Sequence, residues 1–301
     1  EIPCFGLTGP RAGSDATSLP DTGIVCKQEV DGKEVVGLRL NFEKRWITLA
    51  PIATVVGLAF RMFDPDGLLG DKKDLGITCA LIPRDTEGME IGRRHCPIGS
   101  PFMNGPIKGK DVFIPLDYLI GGPEMAGQGW RMLVECLSVG RCITLPSGAS
   151  GSGRYAVGVS GGFTRIRRQF NTPVADMEGV QEPLARIAGM SYIAQSAVMQ
   201  TANMIDNGEK PAVPSAILKS QLTDYQRDIL SDAMDVHGGK TVTLGPRNYL
   251  GLSFAGSAVS ITVEGANIMT RSLMIFGQGA IRCHPYVLDE LAAKDADDQD
   301  A

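Results

Sequence analysis

The distribution of hydrophobic residues along the chain changes near residue 127. Before that point, short runs rich in Val, Ile, Leu and Phe are separated by turn segments such as DPDG and RDTEG. Runs of this kind, bounded by Gly, Pro and Asp, are typical of β-strands. They are VVGLRLNF, WITLAPIATVVGLAFRMF, GITCALIP and DVFIPL, from Val35 to about Leu119. Their spacing predicts a small antiparallel β-domain.

After the GQGW segment, hydrophobic residues recur at helical spacing instead. Two sets follow this period, over residues 184–205 and 217–236, and NGEKPAVPS predicts a break between them. We also expect a helix over residues 130–168, kinked or small-faced because of Pro146 and several glycines, and a last helix over about residues 254–276. Close helix packing would account for the small residues of the earlier helix.

Strands followed by helices predict segregated layers rather than βαβ units. The expected fold is multi-domain α+β, with an antiparallel β-barrel or sandwich at residues 1–125 and an all-α helical bundle at residues 126–285. Residues 286–301 are expected to form an acidic linker or tail. This tail, and a start directly in a Gly- and Pro-rich segment, suggest a piece of a longer protein.

Composition narrows the class of protein. The chain has 301 residues, of which 43% are hydrophobic and 21% charged, as in ordinary soluble globular proteins. A net charge of -5 gives no electrostatic basis for nucleic acid as a partner. Seven scattered cysteines without a C-x-x-C pair argue against a metal site or a disulfide framework. They favour a reducing compartment such as the cytoplasm. Peripheral association with the inner membrane stays open, because a segment for it would lie outside these residues.

Two familiar catalytic patterns match the sequence poorly. The chain has no G-x-G-x-x-G, so a Rossmann dinucleotide site has no fingerprint. GVSGG, at residues 158–162, matches the G-x-S-x-G of serine hydrolases, with His237 and His284 as the downstream histidines. That pattern requires a strand before the serine, whereas Ser160 lies in a predicted helix. A mid-helix Ser160 with no histidine within hydrogen-bond reach would exclude the hydrolase.

The segment ITVEGANIMTR places one carboxylate, Glu264, in an otherwise uncharged stretch whose nearest charges are Arg247 and Arg271. Burying an unpaired charge is costly, so Glu264 is either a functional acid or a helix-end or ion-paired one. Two further segments, LTGPRAGSDAT at residues 7–17 and WIT at residues 46–48, could each be structural if they stood alone.

Taken in order, these segments resemble the acyl-CoA dehydrogenase family. The matching stretches are TGPRAGSD, WIT, EGMEIG, DVFIPLDYLIGG and GQGW, then GR at 140–141, RRQF at 167–170, DVHGG at 235–239 and VEGANIMTR at 263–271. The resemblance runs from Leu7 to about Arg282 and is closest to the large bacterial enzymes of fatty-acid β-oxidation. It implies that family's fold, and FAD as the cofactor.

The resemblance also assigns roles to residues of this chain. Glu264 would be the base that removes the pro-R α-proton of a fatty acyl-CoA while hydride passes from the β-carbon to flavin N5, giving a trans-2-enoyl-CoA. Ser14, Arg141 and Gly265 would contact substrate, and no metal takes part. The implied cofactor-binding residues are Leu7, Thr8, Ser14, Trp46, Ile47, Thr48, Arg167, Phe170, Asp235, Gly238 and Gly239.

The implied partners are an electron-transfer flavoprotein or similar acceptor and further copies of the chain, since Arg167 and Phe170 would contact the FAD of a neighbouring subunit. An acyl-CoA oxidase, or a non-catalytic relative that binds flavin or acyl-CoA, remains an alternative. The sequence departs from the family pattern at Gly9, Arg11, Asp235, Lys240 and Ala266. It also lacks the family's N-terminal helical domain, so this chain alone is expected to bind FAD weakly or be inactive.

Overall fold

The structure is a computed structural model that describes residues 1–277, 279, 281 and 284–295. The chain folds into two compact units. The β unit comprises Glu1–Pro97 and Pro101–Glu135, and the helical unit comprises Ile98–Ser100 and Cys136–Ala301. No helix in the described part of the chain is both long enough and apolar enough to cross a membrane.

The β unit is built on one curled sheet. Its strands are β1 Pro3–Gly6, β2 Thr22–Val30, β3 Lys33–Thr48, β4 Val55–Phe63, β5 Asp74–Pro83, β6 Met89–Ile91 and β7 Asn104–Pro115. Their order is β1-β4-β2-β3-β7-β6, with β5 also paired to β4. The four predicted runs coincide with strands, except that WITLAPIATVVGLAFRMF is divided between β3 and β4 by a 3-10 helix at Ala50–Ile52. The sheet is mixed rather than purely antiparallel, because β4 pairs in parallel with both β1 and β2.

The two strands that pair in parallel with β4, namely β1 and β2, were not predicted. β1 is short and half Pro and Gly, and the second half of β2 carries Lys, Gln and Glu, so neither gives a strong hydrophobic signal. β4, by contrast, is buried from Val56 to Phe60, as expected of a strand covered on both faces. A bulge in β3 between Lys44 and Ile47 shifts its register against β7 and gives Trp46 a φ of 58°.

The helical unit is formed mainly by four helices. They are α1 Gly129–Ile166, whose first turns belong to the β unit, α2 Glu178–Asp206, α3 Ala212–His237 and α4 Gly251–Thr262. Pro146 lies inside α1, and the predicted break between α2 and α3 is confirmed. A two-strand hairpin, β8 Arg168–Gln169 and β9 Thr172–Pro173, joins α1 to α2. Its turn residues Phe170 and Asn171 both have positive φ.

The prediction of one last helix over residues 254–276 is wrong. α4 ends at Thr262, and the chain resumes as the short helix α5, Asn267–Met269, which continues as a π-helix at Thr270–Gly277. The physical reason is the backbone between them, where Glu264 has φ 53° and Gly265 has φ 90°. These are left-handed values, which cannot continue a right-handed helix.

The structure also bears on the glycines of α1 and on the predicted tail. Close helix packing explains Gly153, whose Cβ would lie 3.0 Å from Ser191 Oγ, but not Gly158, Gly161 or Gly162, which face open space. Within the predicted tail, Val287–Asp295 forms a helix. The rest of that tail, residues 296–301, lies outside the described residues.

Candidate functional site

The non-helical turn after α4 carries Glu264, and a buried lysine of α3 donates hydrogen bonds to the residues around it. Lys219 has no exposed surface. Its Nζ donates to the carbonyl oxygen of Gly265 at 2.7 Å, to Oδ1 of Asn267 at 2.8 Å and to the carbonyl oxygen of Ile261 at 3.4 Å. These acceptors lie on both sides of Glu264, so one ammonium group ties the end of α4 to the start of α5.

Asn267 fixes the chain after the break. Its Nδ2 donates to the carbonyl oxygen of Ser220 at 3.1 Å, to Oγ1 of Thr223 at 2.9 Å and to Oδ1 of Asp224 at 3.1 Å. Thr270 adds a bond from its Oγ1 to the carbonyl oxygen of Gly265 at 3.1 Å. The turn is therefore bonded to α3 through side chains while the Glu264 side chain stays exposed.

Three charged groups set the electrostatics at this turn. The surrounding protein removes hydration from the Glu264 carboxylate and so raises its pKa, while the cations Arg141 and Lys219 oppose that rise. Burial, and then repulsion from Arg141, lower the pKa of Lys219 to about 8, with Glu264 and Asp224 acting in the opposite direction. Burial also lowers the pKa of Arg141, partly offset by Glu264. A carboxylate with raised basicity beside two cations can accept a proton and return it.

Arg141 lies in α1 and is half-buried. Its Nη1 approaches the sulfur of Met274 at 3.3 Å, and its buried Nε has no hydrogen-bond partner among the described residues. An arginine donor left unused beside Glu264 can bind a polar group of a ligand. The structure thus places Arg141 close to the Glu264–Gly265 turn in the same unit.

A cavity of about 440 Å³ lies at the C-terminal end of α3, lined in part by Asp235, Gly238, Gly239 and Phe254. Gly238 has φ 63°, and a Cβ on either glycine would meet no atom within 4 Å. The bare backbone therefore borders open space that a ligand could approach closely. The volume is in the range of small-molecule sites.

A cluster of polar and aromatic side chains surrounds His237, which directly precedes the cavity-lining residue Gly238. His237 is buried and stacks on Phe163 with ring centroids 4.3 Å apart. Its Nε2 lies 3.3 Å from Ser160 Oγ, and its Nδ1 lies 3.4 Å from the hydroxyl of Tyr249. Burial, and then Lys240, lower the pKa of His237 to about 4. Lys240 donates to the Tyr249 hydroxyl at 2.8 Å, so this departure from the family pattern is fixed in place.

The same cluster decides the serine hydrolase alternative. Ser160 lies inside α1, six residues before its end, as expected of a helical position. A histidine is within its hydrogen-bond reach, so a missing base does not exclude the hydrolase. Ser160 itself has no exposed surface, and the second ring nitrogen of His237 faces a tyrosine hydroxyl rather than a carboxylate. A hydroxyl that no substrate can reach is not a nucleophile, so the hydrolase is excluded on burial.

In the β unit, the TGPRAGSD turn is fastened by a second buried lysine. Lys44 of β3, with no exposed surface, donates from Nζ to the carbonyl oxygen of Leu7 at 3.0 Å and pairs with Asp21 Oδ2 at 2.5 Å. The backbone N–H of Arg45 donates to the carbonyl oxygen of Thr8 at 3.0 Å. Gly9, a departure from the family pattern, leaves no room for a side chain, because a Cβ would lie 2.8 Å from the Glu43 carbonyl oxygen. Ser14 is exposed on the same turn.

The WIT segment presents its side chains alternately. Trp46 is 58% exposed, and the guanidinium carbon of Arg45 lies over its ring, 4.1 Å from the ring centroid. Ile47 is buried and Thr48 is exposed. In the helical unit, Phe170 at the hairpin tip is 92% exposed, and Arg167 is exposed beside it. The remaining predicted cofactor residues are therefore accessible, except for Ile47.

Two protein-family models match most of the chain. The family model described as "Acyl-CoA dehydrogenase, middle domain" matches residues 4–112. The model described as "Acyl-CoA dehydrogenase, C-terminal domain" matches residues 127–275. The solved structure of butyryl-CoA dehydrogenase from Megasphaera elsdenii superimposes with a TM-score of 0.78 at 22% identity, covering 94% of this chain and 68% of that one. This likeness confirms the predicted order of a β domain followed by a helical domain.

Similar curated proteins match over parts of their length. Protein HemX of Proteus mirabilis is 63% identical over 103 residues, which is 34% of this chain and 61% of that protein. The probable acyl-CoA dehydrogenase YngJ of Bacillus subtilis (strain 168) is 30% identical over 237 residues, which is 78% of this chain and 58% of that protein. The chain thus spans about three fifths of the length of these two relatives.

Proposed function

Because the chain belongs to the acyl-CoA dehydrogenase family, we propose that it carries the catalytic base of an FAD-dependent oxidoreductase that converts a fatty acyl-CoA to a trans-2-enoyl-CoA. The observation that supports this most is the Glu264 turn. Its carboxylate is exposed at a left-handed break, has a raised pKa and faces two cations.

The residues present are suited to FAD in each unit. In the helical unit, the cavity beside Asp235, Gly238 and Gly239 would take the adenosine end, since bare glycine backbone allows close approach. In the β unit, the exposed Trp46 ring and Thr48 hydroxyl would flank the flavin ring, with Leu7, Thr8 and Ser14 on the phosphate side. Ile47 would take part only through its backbone, because its side chain is buried.

Glu264 would act on the α-carbon of the substrate. The α C–H bond breaks, its proton goes to the Glu264 carboxylate, and the electron pair forms the new Cα=Cβ bond as hydride leaves the β-carbon. FAD, when bound, supplies the acceptor for that hydride. Loss of hydration raises the basicity of the carboxylate and brings it nearer to that of the α-carbanion, while Arg141 and Lys219 keep the group ionised before the transfer.

Arg141 would orient the substrate end with its unused donor, and Gly265 would meet the thioester through its backbone. Arg167 and Phe170 would contact the FAD of a second copy of the chain in a homo-oligomer. Electrons would pass on to an electron-transfer flavoprotein or a similar acceptor. An oxidase would instead react directly with oxygen, which the rate of air oxidation of the reduced flavin distinguishes.

The test uses the complete natural protein, purified with its flavin and mixed under nitrogen with palmitoyl- or octanoyl-CoA. The wild type should bleach the oxidised flavin band, and Glu264→Gln should bind flavin but bleach it at least about 100-fold more slowly. The same chemical change at the exposed Glu209 is the matched control and should bleach as the wild type does. Equal bleaching in Glu264→Gln would assign the base elsewhere, and a wild type without flavin would end the proposal.

A further inference from the structure

Burying the charged ammonium group of Lys219 costs free energy unless hydrogen bonds compensate for the lost hydration. The groups that bond to it therefore indicate the role of this lysine. The ammonium group has no exposed surface, and it makes no ion pair within 4 Å among the described residues. All three bonds that it donates go to uncharged oxygens on the chain flanking Glu264. An ammonium group has three N–H donors, so this set uses every one of them.

The positions of the acceptors show what Lys219 does to the backbone. The carbonyl oxygen of Ile261 belongs to the last turn of α4, and that of Gly265 lies directly after the left-handed residue. Asn267, the third acceptor, is the first residue of α5 and is itself bonded to α3 by its amide nitrogen. Lys219 thus binds the two ends of the turn and leaves the exposed carboxylate between them.

The turn needs such a restraint because its conformation is unfavourable. A non-glycine residue at φ 53° occupies a region that L-residues rarely adopt, and it persists only where the surroundings impose it. The charged groups that face Lys219 are Arg141 from α1, Asp224 from α3 and Glu264 itself. None of them bonds to the ammonium, so its direct action is on the backbone.

We propose that Lys219 is a positioning residue, which holds the Glu264–Gly265 turn in its left-handed conformation and so aims the base at the substrate. The inference rests on the proposed function for the role of Glu264. The constraint on the turn does not depend on that role and can be measured separately.

The experiment compares the complete holoprotein with Lys219→Met, which keeps an unbranched side chain, one atom shorter, but removes the charge and its donors. Rapid mixing with acyl-CoA should show flavin reduction about 100-fold slower, with KM little changed, because a misplaced base affects the chemical step rather than binding. Backbone amide exchange over residues 263–270 should become faster. Leu230→Ala, a core change in the same helix, is the control; it should lower the melting temperature and leave both readouts as in the wild type.

Wild-type rate and exchange in a folded Lys219→Met would overturn the inference, while loss of activity in Glu264→Gln would still uphold the proposed function. A wild type that is not reduced by acyl-CoA would refute the proposed function, and the exchange measurement would still decide whether Lys219 holds the turn. If Lys219→Met does not fold, Asn267→Ala replaces it. That variant should show the same faster exchange with a smaller loss of rate, and unchanged values in it would also overturn the inference.

Discussion

The buried pair of Lys44 and Asp21 makes a quantitative prediction about the β unit. Lys44 has no exposed surface and Asp21 is 2% exposed, and their charged atoms are 2.5 Å apart. Replacing Lys44 with Met leaves a buried carboxylate whose remaining bond is from the backbone N–H of Glu43 at 2.9 Å. It also frees the carbonyl oxygen of Leu7, which receives a bond from Lys44 Nζ at 3.0 Å.

The magnitude follows from this uncompensated charge. Removing one partner of a buried pair typically costs about 3–5 kcal/mol, a large share of a total stability of about 5–15 kcal/mol. The double variant Lys44→Met with Asp21→Asn removes both charges and keeps an acceptor for the Glu43 N–H. It should therefore be at least about 1 kcal/mol more stable than the sum of the two single changes predicts.

The assay is urea unfolding of each variant, with the midpoint and slope fitted separately. The chain supplies a matched control in Lys27 and Glu34, whose charged atoms are 2.7 Å apart but whose side chains are 47% and 67% exposed. Lys27→Met should cost less than about 1 kcal/mol. If Lys44→Met costs no more than Lys27→Met, or if the double variant shows no coupling, the pair does not stabilise the turn as argued.

Two further predictions concern the helical unit. Burial lowers the pKa of His237 to about 4, whereas a histidine of the unfolded chain gains its proton near pH 6.5. About 3 kcal/mol of folding stability should therefore be lost as the pH falls from 6.5 to 4. In unfolding measured against pH, His237→Gln should lose this dependence, whereas a change at an exposed histidine, His284→Gln, should keep it. Gly265→Ala should lower the folding stability by about 1–3 kcal/mol, because φ is 90° at that position. Gly158→Ala, in a helix with open space around the glycine, should raise the folding stability by about 0.5–1 kcal/mol. Equal effects of the two changes in thermal unfolding would contradict the strain argument.

Much of the architecture could be predicted from hydrophobic periodicity. Apart from the interruption at Ala50–Ile52, the predicted strand runs and the α2–α3 break are found in the structure, because the runs carry a strong apolar signal and most of the turns between elements contain Gly, Pro or Asp. The break at Glu264 could not be predicted in this way, since TVEGAN has neither proline nor a strong turn pair before its glycine. The parallel pairing of β1 with β4 joins residues about 50 positions apart in the chain, which local patterns do not encode.

The residues that fasten the candidate site were also missed, although the sequence did hold a signal for them. Lys44 continues the alternate buried positions of β3 after Leu38, Leu40 and Phe42. Lys219 lies three residues before Leu222 and ten before Ile229, on the buried face of α3. A lysine on a face that periodicity assigns to the core predicts a buried ammonium with specific acceptors.

The two buried lysines show why a match to family motifs describes only part of this site. Each donates to a backbone carbonyl of a loop proposed to act on cofactor or substrate, Leu7 for Lys44 and Gly265 for Lys219. A backbone carbonyl accepts such a bond whatever the side chain, so these two bonds leave no trace in the loop sequence; only Asn267, whose Oδ1 also accepts from Lys219, does. Burial of an ammonium costs several kcal/mol unless it is fully bonded. A side-chain substitution at Leu7 or Gly265 can therefore keep the lysine hydrogen bond, whereas a substitution of either lysine removes it. Variants at the two lysines should thus change the loop conformation while leaving the side chains of the loop intact.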